Sequence, residues 1–196
     1  PTSHILGNTL QLQTGQTIDL TSMRRRLESN GYRCVESVQE HGEFAVRGSI
    51  LDLFPMGNPT PFRIELFDDE VETIRTFDPE SQRSTQRVNE IDLLPAREFP
   101  LSSSAIRLFQ DQWHQQFSVD ARQCPVYLDV SQALAPAGIE YYLPLFFEHL
   151  DSFFDYLPEN LLVLTEHIES QLDSLWENAQ QRYESLRYDI SRPLLE

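Results

Sequence analysis

The cleanest patterning in the chain runs from Phe62 to Phe67, where apolar and polar positions alternate. Phe62, Ile64 and Leu66 fall on one side; Arg63, Glu65 and Phe67 fall on the other. A strand has a side-chain period of two, so this segment predicts a strand with one core face and one outward face. The predicted turn Asp68-Asp69-Glu70 and the run Val71–Phe77 complete a hairpin. The outward set contains an arginine, a carboxylate and a bare phenylalanine, with Arg47 and Arg75 offered by neighbouring predicted strands. Arginine beside an exposed aromatic is the composition of a protein-binding hot spot.

The pattern before this hairpin predicts short strands around one helix. Thr9–Gln13 reads as a strand, and Asp19 and its neighbours offer N-caps for a helix through Met23 and Leu27 that Asn30-Gly31 stops. Strands are expected at Tyr32–Val38, at Phe44–Arg47 and Ser49–Phe54 around Gly48, and finally at Arg87–Leu94. A helix packed on an antiparallel sheet is an α+β arrangement. Beyond Leu93–Ser104, a proline- and serine-rich linker, the period changes from two to that of a helix. Ser102–Ser104 can cap a helix through Ile106, Phe109, Trp113 and Phe117, and Ile168 to about Tyr188 predicts a long amphipathic helix. Ala121–Leu134 reads equally as strand, through Val126–Val130, or as helix. Leu161–Thr165 has a buried-strand pattern, so the second half looks like part of a parallel-sheet domain with too few strands to be whole.

Glycine usage sharpens that division, since six of the seven glycines precede residue 58 and only Gly138 lies beyond residue 100. Charge narrows the chemistry. Fifteen basic against 31 acidic groups give a net charge of −16, which argues against nonspecific affinity for nucleic acid or anionic membrane. Every basic residue is arginine, which rules out a lysine phosphate loop, Schiff base or general base within these 196 residues. The cysteines Cys34 and Cys124 lack CxxC spacing and read as reduced thiols in or near the core. No apolar run approaches the ~20 residues of a membrane span, and the N-terminus has no signal-peptide pattern, so a cytoplasmic location is expected. The start at Pro1 and the end at Glu196 suggest a piece of something longer.

No catalytic constellation stands out. The five histidines (His4, His41, His114, His149, His167) are scattered without metal-ligand spacing, and Asp68-Asp69-Glu70 has the composition of an ordinary charged turn. The aromatics Tyr141, Tyr142, Phe146, Phe147, Phe153 and Phe154 could stack bases, but in so acidic a region they fit a core or a docking surface better. What remains is the outward face of the hairpin. A solvated sheet face with one stray phenylalanine would look similar. The convergence of Arg47, Arg63 and Arg75 near Phe67 favours a docking face, because guanidinium forks bind carboxylates bidentately.

Three stretches carry a resemblance: Gly31–Gly57 (GYRCVESVQEHGEFAVRGSILDLFPMG), Pro61–Ser84 (PFRIELFDDEVETIRTFDPESQRS) and Pro136–Phe147 (PAGIEYYLPLFF). They resemble the N-terminal UvrB-homology region of the bacterial transcription-repair-coupling factors (Mfd). UvrB has a similar strand set, but FDPESQRS and GIEYYLPLFF are closer to the coupling factors. The resemblance implies a UvrB domain 2-like, UvrA-binding domain at residues 1–96. It implies that residues 97–196 are the second part of a degenerate, helicase-like α/β domain 1, whose first part would precede Pro1. It assigns UvrA contact to Arg47, Arg63 and Phe67, with Glu65 and Arg75 as companions, and no catalytic, cofactor or metal residues to this stretch. Phe67→Ala or Arg63→Ala is then expected to weaken UvrA binding without unfolding the domain. In such a parent, the ATP-dependent translocase motor and the sites for RNA polymerase and double-stranded DNA lie in other domains, and a C-terminal domain masks the UvrA surface. Two alternatives stay open: a UvrB-like helicase segment that helps bind DNA or nucleotide, and an autoinhibitory segment meeting only that C-terminal domain.

Overall fold

The computed structural model describes residues 2–157 and 167–195. By its contacts the chain divides into two compact units, Pro1–Pro100 and Leu101–Glu196, with the division inside the proline- and serine-rich linker.

The first unit is built around a six-stranded sheet. Its strands are β2 (Arg33–Cys34), β3 (Glu43–Arg47), β4 (Ile50–Leu53), β5 (Phe62–Phe67), β6 (Glu70–Phe77) and β7 (Ser84–Val88), neighbours in that order. All pairings are antiparallel except β2 with β3. A separate two-stranded ribbon joins β1 (Leu10–Gln13) to β8 (Glu90–Leu93). The helix α1 (Thr2–Asn8), which the apolar pattern does not announce, precedes β1. The helix α2 (Leu20–Ser29) forms where the capping signals place it. The Asp19 carboxylate accepts the backbone N–H of Thr21 and Ser22, two of the donors that the first turn leaves unpaired. Gly31, at φ +91°, closes the helix in the left-handed conformation that glycine adopts without a Cβ penalty.

One hydrophobic core lies between α2, the ribbon and the inner face of the sheet. Met23 and Leu27, one turn apart on α2, meet Leu12, Phe44, Leu51, Leu53, Ile64, Val71 and Ile74. The alternation along β5 is as the sequence predicts, with Phe62, Ile64 and Leu66 buried and Phe67 exposed. Three expectations change. The run Tyr32–Val38 is strand only at Arg33–Cys34, after which the chain bends inward and buries Val38. Arg87–Leu94 is not one strand: it breaks at Asn89, whose carbonyl accepts the Thr14 N–H, and its halves join different sheets. Cys34 is exposed rather than near the core, whereas Cys124 is buried.

The described part of the second unit is helical. In α3 (Ser103–Gln116) the Ser102 hydroxyl accepts the Ala105 N–H as N-cap. The ambiguous stretch resolves as α4 (Pro125–Ser131), where proline occupies the first turn and its missing N–H costs nothing. A 3-10 run, Ile139–Phe146, packs the aromatic segment onto α3. Phe109 and Phe146 ring centres are 4.8 Å apart, and those of Trp113 and Tyr142 are 5.4 Å apart. Tyr142, Leu145 and Phe146 therefore act as core, while Tyr141, Phe153 and Phe154 remain exposed. The predicted helix α5 (Ile168–Leu186) is present, yet Leu172, Leu175 and Trp176 are all exposed. The predicted strand Leu161–Thr165 lies outside the described residues, and no strand occurs among the described residues of this unit. Nor is any described helix long and apolar enough to cross a membrane.

Candidate protein-docking face

The face of the sheet opposite α2 is graded rather than uniformly solvated. At one end Val38, Ala45, Phe54 and Phe77 form a second, smaller core beneath the bent segment after β2. At the other end Phe67, beside the β5–β6 turn, is 71% exposed. Charged side chains occupy the ground between them. Along β5, Arg63, Glu65 and Phe67 share this face, with successive members about 7 Å apart at the usual strand rise.

The register shows how the charges line up. Asp52 on β4 pairs with Arg63 on β5, Arg63 with Arg75 on β6, and Arg75 with Arg87 on β7. Directly opposed residues of antiparallel strands project from the same face, so these four form one row across the sheet. The next row toward Phe67 contains Arg47, Ile50, Glu65 and Thr73. All five residues nominated from sequence (Arg47, Arg63, Glu65, Phe67 and Arg75) thus lie on one face. Thr73 is buried in that face and donates its hydroxyl to Glu65 at 2.7 Å.

The outward expectation needs correcting for Arg63, whose side chain is only 15% exposed. Its Nε donates to Asp52 Oδ1 at 2.7 Å and its Nη2 to Asp52 Oδ2 at 2.9 Å, a bidentate fork. Its Nη1 donates to the Gln82 carbonyl at 3.1 Å, and the guanidinium lies 4.8 Å from the centre of the Phe77 ring. Hydrogen bonding to Asp52 raises the Arg63 guanidinium above its ordinary value, so it stays charged throughout. Arg47, half exposed, also donates to Asp52. Arg63 is therefore an anchored structural cation, expected to stabilise the domain as well as any partner.

The loop that covers Arg63 is the FDPESQRS segment. Asp78 accepts the Ser81 N–H and hydroxyl, which closes a tight turn, and both bonds lower its carboxyl below the usual range. Gln82, at φ +59°, then donates to the carbonyls of Pro79 and Val38, tying this loop to the bent segment. That segment is pinned in turn by Glu43. Its carboxylate accepts the backbone N–H of Gln39 and Glu40 at 2.8 and 2.9 Å and pairs with Arg33. Burial alone would push Glu43 up, but these donors outweigh it and hold its carboxyl below the ordinary value.

Two residues of the face escape a reading of the sequence alone. Asp52 organises Arg47 and Arg63, and the available signal was a lone carboxylate in the apolar run Ile50–Phe54. Arg87 joins the row only through strand register, which no local pattern gives. Among the described residues no group of three or more histidine, cysteine or acidic side chains is arranged to hold a metal ion. The face has the means to bind protein: an exposed aromatic ring, fixed guanidinium forks and a rigid sheet beneath them.

Residues 10–99 match the family model described as the UvrB interaction domain. The whole chain aligns with the transcription-repair-coupling factors of Haemophilus influenzae and Escherichia coli, at 44% and 45% identity. It covers 17% of the length of each. The Myxococcus xanthus coupling factor is 34% identical over 88% of the chain, which spans 15% of that protein. With a UvrB interaction domain at residues 10–99 and end-to-end similarity to these proteins, the chain belongs to the transcription-repair-coupling factor family, as a stretch of its UvrB-homology region.

Proposed function

We propose that this chain is the UvrA-docking module of a transcription-repair-coupling factor, with the contact made by the outer face of the six-stranded sheet. In this reading Phe67 is the aromatic anchor at one end of the face, Arg47 and Arg75 supply charge farther along it, and Arg63 and Glu65 shape the ground between. In the parent, the module would bring UvrA to stalled RNA polymerase, while the translocase motor and the polymerase and DNA sites act from other domains. Residues 97–196 would be the remainder of a degenerate helicase-like domain 1 that carries the module. This stretch itself performs no catalysis in that scheme and needs no cofactor.

The observation that carries the reading is Phe67. Phe67 is 71% exposed on a strand of the sheet, on the face that also carries Arg47, Arg63 and Arg75, so most of its ring is available to a partner. Hot-spot residues are aromatic and arginine side chains surrounded by contacts that exclude water. Phe67→Ala should weaken UvrA binding by about 2 kcal/mol or more while the thermal midpoint stays at the wild-type value. Calorimetric titration of UvrA into both proteins measures this, and unchanged affinity of a folded Phe67→Ala chain refutes the reading.

A further inference from the structure

We propose that a cleft in the second unit, between α4, the 3-10 run and the C-terminal end of α5, binds an apolar α-amino acid as its zwitterion. The inference concerns the second unit alone and is independent of UvrA docking. Its basis is a walled cavity whose charged and hydroxyl groups the fold leaves largely unused.

The chain that follows α5 is tethered to the start of α4, where the Cys124 thiol donates to the Ile190 carbonyl at 3.4 Å. A cleft of about 440 Å3 opens between these segments and the 3-10 run, a size common for small-molecule sites. Val126, Pro136 and Leu186 give it apolar walls, and the rings of Tyr141 and Tyr142 line it as well. Such surfaces accept an aliphatic or aromatic side chain.

Four charged residues also line the cleft: Asp129, Arg182, Asp189 and Arg192. Asp189 is spent on its own turn, accepting the Ser191 N–H and hydroxyl at 2.9 and 2.6 Å. The other three make no ion pair among the described residues. The Arg182 guanidinium has only the Tyr141 ring, whose centre is 5.9 Å away. Tyr142 is 5% exposed, yet its hydroxyl makes no hydrogen bond among the described residues. Burial pushes that hydroxyl's pKa up and keeps it protonated, and the charges of Arg192 and Asp189 are near enough to act on it. A buried donor without a partner is costly, so it marks a place for an acceptor in the cleft.

Two arginines against two aspartates leave the lining with no net charge, which disfavours a phosphate or another multiply charged anion. A zwitterion matches this balance. Its carboxylate accepts from a guanidinium fork and from the Tyr142 hydroxyl, its ammonium faces Asp129, and its side chain lies against the apolar walls.

The test titrates L-phenylalanine into the full chain and follows backbone amide shifts by NMR. Phenylalaninamide and 3-phenylpropionate serve as controls that lack the carboxylate and the ammonium respectively. L-Phenylalanine should saturate at low millimolar concentration, as a ligand of its size allows, with shifts at residues 125–142 and 182–194. Each control should bind roughly tenfold more weakly, because each leaves a charged group of the cleft unpaired. Arg182→Ala/Arg192→Ala and Asp129→Asn should reproduce those losses, and Tyr142→Phe, which keeps the ring in the core, should weaken binding by a smaller factor. No saturable shift, or shifts outside the cleft, overturn the proposal. Equal affinity for the controls assigns the cleft to apolar contact alone and overturns it too, as does wild-type affinity in the folded variants. Where a variant fails to fold, the two controls on the unaltered chain still decide.

Discussion

Asp52 decides how the most conspicuous arginines can act. Its carboxylate is buried and grips Arg63 through both oxygens while also taking a bond from Arg47. Removing one partner of a buried pair leaves a charge without its solvent or its counterion, and such losses are large. Arg63→Ala should therefore destabilise the first unit by at least about 2 kcal/mol, in addition to any effect on binding. Urea unfolding of the variant measures this; an unchanged midpoint would mean that Arg47 alone satisfies Asp52. A binding defect in Arg63→Ala consequently cannot be assigned to the interface without that measurement. Phe67 is the cleaner probe because its ring is largely exposed and belongs to neither hydrophobic core cluster.

At the scale of elements, two loops convert an ordinary antiparallel sheet into a graded docking face. The segment after β2 and the loop between β6 and β7 lie over one end, linked by the bond from Gln82 to the Val38 carbonyl. Glu43 fastens the first of these through the N–H groups of Gln39 and Glu40. Its carboxyl is held below its unfolded value, so it contributes stability fully above the ordinary glutamate range, near pH 4.3, and loses it as pH falls through the lower folded value. Thermal midpoints measured between about pH 6 and pH 3 should fall on the acid side, and Glu43→Gln should flatten that limb. A variant with the same acid limb as the wild type would show that other carboxylates dominate it. Asp78, lowered by its bonds from Ser81, contributes in the same direction.

For the whole molecule, the division into two units makes a separable claim. Every residue of the proposed face lies within Pro1–Pro100, which also contains a complete core. A fragment of residues 1–100 should unfold cooperatively and bind UvrA with the affinity of the full chain. Circular dichroism melting and calorimetry test both halves, and loss of binding by a folded fragment would assign part of the surface to residues beyond 100. The second unit has a different character: its aromatic core around Phe109 and Trp113 is closed, but α5 leaves Leu172, Leu175 and Trp176 exposed.

The sequence by itself determined the elements with local causes. The alternation of β5, the Asp19 cap and glycine stop of α2, the Ser102 cap of α3 and the change of architecture near the linker depend on neighbours a few residues apart. The outward placement of Phe67 follows from the same period of two. Tertiary structure alone decided where the charges ended up. Register across four strands brought Asp52, Arg63, Arg75 and Arg87 into one row, and long-range bonds folded two loops over one end of the face. Those loops buried Arg63 and left Arg87 open, a distinction invisible locally because both are polar residues in β strands. An ion pair or a covered face depends on which distant segments meet, and that is set by packing of the whole unit rather than by the period of any one strand.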